Sequence, residues 1–543
     1  MIGYFTSGKD LPETMDMSSN LGKLCNVIEF TIGSDQEYLS DYIGPVEINE
    51  LEKGSSILIG APVGCGKTTA LIRAAINYKH EVVYLTNRKS SLLQIKRDVL
   101  KEMGITNTAK WDEEIIEHYD TGNIKVLTYQ SLAQRENFNK FKNDTLVVLD
   151  EIQYLLNDAT FSYHPMQIID ILKQNVDNTK RVYISATMEE VLPEIYRIER
   201  CDNNELDTAK LYTNFHSRIN HIYLMEDNWN HLSFLFYNYS DIDKLTDTIN
   251  QESENGVKSA IFLRNKERGA KLKEKLTDCQ FVYSSEEENE ELANIAIKEA
   301  FSTKCLLATK VIENGVSIND ENIGIIIIEE IDPISFIQFL GRVRVKRRNP
   351  RHMTIMIPDY TPSELRQAAR QCSERLSIIN HIKKSPHDCM MHFEHYIPYI
   401  YYSYSGAQAN ILAYKKFTLL LAHLNKLIND ETPHAHIRYI LDLLKHSTEI
   451  ADNQFLNYDD IDKFKQGIAL AYKKFKKSPM LKEDRNTLAK ELKEIVNCTN
   501  YYKKKITGSQ LQIETINDIL ARADINAKIS SLGEAFSIEE SAI

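Results

Sequence analysis

Tryptophan and cysteine are scarce in this chain of 543 residues, with two of the former and eight of the latter. The cysteines, at 25, 65, 201, 279, 305, 372, 389 and 498, form no C-x-x-C pair and fall far below disulfide-scaffold density. A reducing compartment is expected, hence a cytoplasmic protein or one associated with a nucleoid. No apolar run approaches the roughly 20 residues needed to cross a bilayer, and Met1 to Asp10 lacks a basic stretch followed by an apolar core. Neither a membrane anchor nor export is expected. Internal repeats and low-complexity segments are absent too. Basic residues are in deficit overall, giving a formal net charge of −12. That argues against a nucleic-acid partner only if charge is spread evenly, because the local potential along a groove is what a strand meets.

The charge is uneven. Acidic residues gather in Ser285-Glu286-Glu287-Glu288-Asn289-Glu290-Glu291, and basic ones at Arg342, Arg344, Lys346, Arg347, Arg348 and Arg351, at Lys473, Lys474, Lys476 and Lys477, and at Lys503 to Lys505. The lysine clusters fit a solvated helix face or a grip on phosphates. With 43% hydrophobic and 26% charged residues the composition is that of a globular protein, and the length suits two to four domains.

The stretch Gly60-Ala61-Pro62-Val63-Gly64-Cys65-Gly66-Lys67-Thr68-Thr69 lies between the apolar run Ser55 to Ile59 and the helical text Thr69 to Ile76. That is the strand–loop–helix context of a phosphate loop, with Ala61 where the strict pattern has glycine. Residues 61 to 69 would wrap ATP: small residues let backbone N–H groups close on the phosphates, Lys67 reaches the β- and γ-phosphates, and the Thr68 hydroxyl ligates Mg²⁺. A phosphate loop also needs a metal-holding acid, and Leu146-Val147-Val148-Leu149-Asp150-Glu151-Ile152-Gln153 supplies one at the end of a strand. Asp150 would hold Mg²⁺ through water, and Glu151 would orient and deprotonate the attacking water.

Short apolar runs at 55–61, 81–86, 124–128, 145–150 and 181–185 alternate with helical periods, which predicts a parallel sheet covered by helices on both faces. The pattern pauses around 203–220, an expected interdomain crossing, then resumes at 260–263, 281–283, 305–309, 325–328 and 354–357. Past Pro362 the text becomes helical, with tyrosine and lysine interleaved. The expected organisation is an N-terminal segment (1–50), two α/β domains (51–205 and 206–362) and an α-helical accessory region (363–543). Within that region His381, His387, Cys389, His392 and His395 cluster, but a lone thiolate is a poor zinc set. Tyr396, Tyr399, Tyr401, Tyr402 and Tyr404 suit either packing or base stacking.

Taken together the motifs resemble superfamily 2 helicases and translocases of the D-E-x-Q or D-E-x-H type. Asp150-Glu151-Ile152-Gln153 resembles motif II, and Ser185-Ala186-Thr187 resembles motif III. Asn87-Arg88 and Thr128 to Leu132 resemble motifs Ia and Ib; Phe262 to Asn265, Ala308 to Ile318 and Gln338 to Arg344 resemble motifs IV, V and VI. All occur in order over residues 50–350. The resemblance implies two tandem RecA-like P-loop domains with ATP and Mg²⁺ between them. Its implied roles are γ-phosphate sensing by Gln153, coupling of hydrolysis to movement by Ser185 and Thr187, and an arginine finger at Arg342 with Arg344 beside it. Gly315 and Gln338 would add nucleotide contacts. Asn87, Arg88, Thr128, Arg264 and Thr309 would hold a strand by its phosphates, with little sequence preference.

Motif VI of the family places its second arginine three residues after the first, and here Arg344 lies two after Arg342. Ser317 stands where the family has a ribose-contacting acid. No adenine-reading glutamine motif precedes Ala61, which favours DNA slightly over RNA. The expected function is nucleic-acid-stimulated ATP hydrolysis coupled to strand separation. The alternatives are a duplex translocase or remodeller that separates no strands, and an ATP-gated scaffold that signals to a protein partner through the helical region.

Overall fold

The structure, a computed structural model, describes residues 28–33, 38–105, 111–134, 141–200, 218–283, 295, 298–310, 312, 317–346, 350–403, 406–456, 458–475, 480–498, 511–523, 525, 527–532 and 535–540. Two parallel sheets dominate it. The first has seven strands, β1 (Ile28–Ile32), β2 (Ser56–Gly60), β3 (Val82–Thr86), β4 (Ile124–Thr128), β5 (Thr145–Leu149), β6 (Thr179–Ser185) and β7 (Ile219–Met225), in the order β1-β7-β2-β6-β5-β3-β4. Strands β3 and β5 are almost wholly apolar because both faces of the sheet are covered. Leu58, Val83, Leu85 and Val147 enter one core, while Ile57, Ile59, Val82 and Val148 enter the other.

The second sheet has six strands, β8 (Leu232–Asn238), β9 (Lys258–Leu263), β10 (Cys279–Val282), β11 (Cys305–Ala308), β12 (Ile323–Glu329) and β13 (Met353–Asp359), in the order β10-β11-β9-β12-β13-β8. The expected strands of both sheets are present. Two boundaries differ. Strand β7 pairs in parallel with both β1 and β2, so the first sheet runs on to Met225, past the division expected at 205. By the same pairing β1 belongs to that sheet and not to a separate N-terminal segment. Ile219 and Ile222 are fully buried, and this burial fixes the strand despite the polar Asn220 and His221 between them. Of the expected crossing, residues 203–217 lie outside the described residues.

Helix α1 (Lys67–Ile76) follows β2, α2 (Met188–Glu199) follows β6, and α3 (Pro333–Leu340) follows β12. Beyond Pro362 the chain is mainly helical, led by α4 (Pro362–Lys384) and α5 (Ile411–Asn429). Helix α4 starts on a capping box, Thr361 and Glu364 exchanging side-chain-to-backbone hydrogen bonds. Small antiparallel pieces were not expected there: a hairpin of β14 (Ile400–Ser403) with β15 (Gly406–Ala409), and a sheet of β16 (Met480–Leu481), β17 (Ala527–Leu532) and β18 (Ala535–Glu540). The region completes both cores: Leu365, Ile379, Leu412 and Phe417 join the first sheet's, and Ile440, Phe464, Leu492 and Ile519 join the second's. No helix among the described residues is long and apolar enough to cross a membrane.

Candidate nucleotide and nucleic-acid site

In a parallel sheet the loops at the strands' C-terminal ends converge on one edge, and in the first sheet the phosphate loop, Asn87, Arg88, Asp150 and Glu151 lie there. The loop after β2 turns through Gly64 and Gly66, both in the left-handed region (φ 84° and 79°), before α1 begins at Lys67. It is held from below by Ala61 N–H donating to the Ser185 carbonyl (3.1 Å), and from outside by Leu39 N–H donating to the Cys65 carbonyl (2.8 Å). Lys67 is buried, and its Nζ donates to the Ala61 and Pro62 carbonyls at 2.7 and 2.8 Å, inside the curl of the loop.

Opposite it, Tyr84 on β3 donates from its hydroxyl to Asp150 Oδ2 (3.0 Å), with Thr68 near the same phenol. The two expected Mg²⁺ ligands therefore flank one phenol. Tyr129 donates to the Asp150 carbonyl at 2.9 Å and stacks on Tyr154 with ring centroids 4.5 Å apart. Sequence reasoning missed both tyrosines; the signal was a phenol inside a buried strand or helix, which must find a partner. Burial, then the charge of Glu151, pushes the Asp150 carboxyl up to about 6.

Glu151 sits at φ 53°, a conformation a non-glycine residue holds only under constraint from its surroundings. The next residue supplies one: Ile152 N–H donates to the Ile184 carbonyl at 2.9 Å. Burial would raise the Glu151 carboxyl, but Lys67 and Arg342 outweigh it and hold it below the ordinary glutamate value. Gln153 donates from Nε2 to Glu151 Oε2 and accepts at Oε1 from the Ser185 hydroxyl (2.7 Å), whose oxygen in turn accepts from Thr187 N–H (2.9 Å). Glu151, Gln153, Ser185 and Thr187 thus form one hydrogen-bonded line.

The second sheet closes on this line. Arg342 NH2 stands 3.7 Å from Glu151 Oε1, and Asn157 Nδ2 donates to Gln338 Oε1 at 3.3 Å. Ile318 N–H donates to the Arg342 carbonyl and Arg344 N–H to the Ile318 carbonyl, both at 2.8 Å. This bridge makes the chain extended at Arg342-Val343-Arg344, where side chains alternate and residues two apart share a side. The two-residue spacing follows: both arginines face the cleft while Val343 enters the core. Arg344 donates from Nε and NH2 to the Ser317 hydroxyl (3.0 and 2.7 Å), and its NH1 comes within 3.5 Å of the space a side chain on Gly64 would take. Burial, then Arg342, lowers the Arg344 guanidinium to about 10.

The donor set fits a nucleoside triphosphate. Arg342 Nε and NH2, Arg344 NH1 and Gln338 Nε2 are buried and make no hydrogen bond, an arrangement that costs stability unless an acceptor arrives. It also fits Mg²⁺. A buried carboxyl beside a second carboxylate gains most from a cation, and Thr68 and Asp150 would hold one together with phosphate oxygens and water. Among the described residues no three His, Cys, Asp or Glu side chains gather as a metal cage, the histidine cluster included.

Residues 46–195 match the DEAD/DEAH box helicase domain, and residues 240–346 match the helicase conserved C-terminal domain. Each half of the cleft thus matches one helicase domain. Among solved structures, the chain is similar to helicase Lhr of Mycobacterium smegmatis bound to ssDNA and AMP-PNP, at 14% identity and TM-score 0.41, over 61% of this chain and 46% of that one. It is also similar to Dbp5 of S. cerevisiae bound to RNA and ADP BeF3 (16% identity, TM-score 0.44, 60% and 84% covered) and to Mss116p bound to ssRNA and AMP-PNP (15%, 0.41, 78% and 91%). The chain thus spans less than half of the Lhr chain it matches. No curated protein matches it in sequence.

The strand-holding candidates lie at the C-terminal ends of strands, three of them on the phosphate loop's own sheet and two on the other. Asn87 and Arg88 follow β3, Thr128 ends β4, Arg264 follows β9 and Thr309 follows β11. Several have internal partners: Arg88 pairs with Asp158 at 3.5 Å, and Thr128 caps the following helix by accepting from Ser131 N–H at 3.0 Å. Burial would lower the Arg264 guanidinium, but Glu330 and Tyr360 keep it above its ordinary value. Asn87 is buried, with Oδ1 making no hydrogen bond. Gly315 lies outside the described residues, as do Tyr404, Lys476, Lys477 and Lys503 to Lys505. The remaining tyrosines form no common platform, since Tyr401 is buried and Tyr402 is exposed. Lys474 is paired with Glu491 at 2.5 Å, as on a solvated helix face.

Proposed function

We propose that this chain is a nucleic-acid motor that hydrolyses ATP to ADP and phosphate when a strand is bound, and separates strands by closing and opening its cleft. The observation that carries this reading is Arg342 of one sheet reaching Glu151 of the other, buried and with its Nε and NH2 making no hydrogen bond. Glu151, kept charged by Lys67 and Arg342, takes the proton of the attacking water. Arg342 and Lys67 stabilise charge on the transferring phosphoryl group. Thr68 and Asp150 would hold Mg²⁺, which when bound would supply charge neutralisation at the phosphates.

Gln153 passes the state of the γ-phosphate from Glu151 to Ser185 and Thr187, and so to the start of α2. Asn87, Arg88, Thr128, Arg264 and Thr309 hold the strand by its backbone, with DNA the expected strand and the helical region available to a protein partner. A duplex-unwinding assay run beside a triplex-displacement assay tests the coupling. Release of the complementary strand with ATP supports strand separation; triplex displacement alone makes the chain a duplex translocase.

A further inference from the structure

Lys416, on α5, is a buried cation that the chemistry above does not use. Its Nζ lies 3.0 Å from both carboxylate oxygens of Glu190 and 3.0 Å from Asp332 Oδ2. All three side chains are only 6% exposed. The partners come from opposite sides of the cleft. Glu190 lies in the first turn of α2, whose N-cap is Thr187, the end of the hydrogen-bonded line from Glu151. Asp332 is the N-cap of α3, the helix that carries Gln338 and leads through Gly341 into Arg342. Asp332 also accepts from the Ser335 hydroxyl at 3.0 Å, which fixes it to that helix. Next to it, Lys415 bonds Glu194 one turn further along α2.

A buried cation between two carboxylates is a poor device for stability alone, because desolvation consumes much of the attraction. It is a good device for registry, because withdrawing the cation from between them leaves two buried carboxylates facing each other uncompensated. We propose that Lys416 is a positioning residue for cleft closure: by gripping Glu190 and Asp332 together, the C-terminal region sets the register in which Arg342 meets Glu151. The inference rests on the reading of the cleft as an ATPase site. Opening the cleft separates Glu190 from Asp332, so Lys416 must then let go of one of them. The C-terminal region therefore senses each closure, and whatever binds it can bias closure.

The test compares Lys416→Met, Lys416→Arg and the neutral set Lys416→Met/Glu190→Gln/Asp332→Asn, which leaves no unpaired charge should the single variant fail to fold. Steady-state ATPase is read alongside nucleotide affinity, and the distance between fluorophores on the two sheets is read with and without ATP. The expected result for the neutral set is a folded protein with nucleotide affinity close to wild type, kcat down by about tenfold and reduced closure, with Lys416→Arg recovering part of kcat. A folded neutral set with wild-type kcat and wild-type closure overturns the inference. A wild-type protein that binds no ATP overturns the underlying reading instead, so the two failures are told apart.

Discussion

Arg342 reaches across from the second sheet to Glu151 of the first, NH2 to Oε1 at 3.7 Å, with both side chains largely buried. The pair joins the two halves at the point where hydrolysis would occur. Arg342→Ala should lower turnover on the order of 10³-fold with little loss of nucleotide affinity, as a group acting on the transition state would. Steady-state kinetics beside a binding titration checks this. Turnover within about threefold of wild type would mean that the finger is elsewhere.

Lys67→Ala and Glu151→Gln should fail differently. The first removes the ammonium that sits inside the loop curl and should abolish ATP binding; the second keeps binding and stops hydrolysis, trapping a closed, strand-bound state. Equal loss of ATP binding in both would remove Glu151 from the base role.

Magnesium affinity should depend on pH through Asp150, whose carboxyl burial and Glu151 raise to about 6. Below that value Mg²⁺ must displace a proton, so apparent affinity should fall about fivefold between pH 6 and pH 5 and level off above pH 7. Metal titration of nucleotide binding measures it. Asp150→Asn should lose the dependence, and a flat wild-type profile would contradict the assignment.

Asp359, at the end of β13, accepts from His434 Nδ1 and Arg522 NH1, both at 3.0 Å, and so ties the C-terminal region to the second sheet. Burial would raise its carboxyl, but His434 and Arg522 bring it down to about 2. The unfolded carboxyl titrates near 4. The folded state therefore gains stability above that value and loses it as pH falls toward 2, by about 2 kcal/mol. Acid unfolding of Asp359→Asn should lack that part of the slope; an unchanged slope would show that the pairing does not matter.

The sheets' inner strands were legible because a strand covered on both faces must be apolar along its length, as Leu146-Val147-Val148-Leu149 is. Strand β7 was not, because Asn220 and His221 interrupt its apolar pattern. The phosphate loop and Asp150-Glu151 were legible because their chemistry is local in sequence. Tyr84 over Asp150, and Lys416 between Glu190 and Asp332, are pairings across long sequence separations, which no periodicity encodes. The spacing of Arg342 and Arg344 was visible as a departure, but its cause, the extended bridge to Ile318, needed the fold.

The central claim is that strand binding and ATP hydrolysis are one linked process in this cleft. The most direct test is the steady-state ATPase rate titrated with single-stranded DNA, duplex DNA and RNA, with Lys67→Ala as the control. The account predicts a low basal rate that rises severalfold and saturably with at least one of the three, DNA foremost, and no rate in the control. A rate indifferent to every nucleic acid, or one that survives Lys67→Ala, would contradict it.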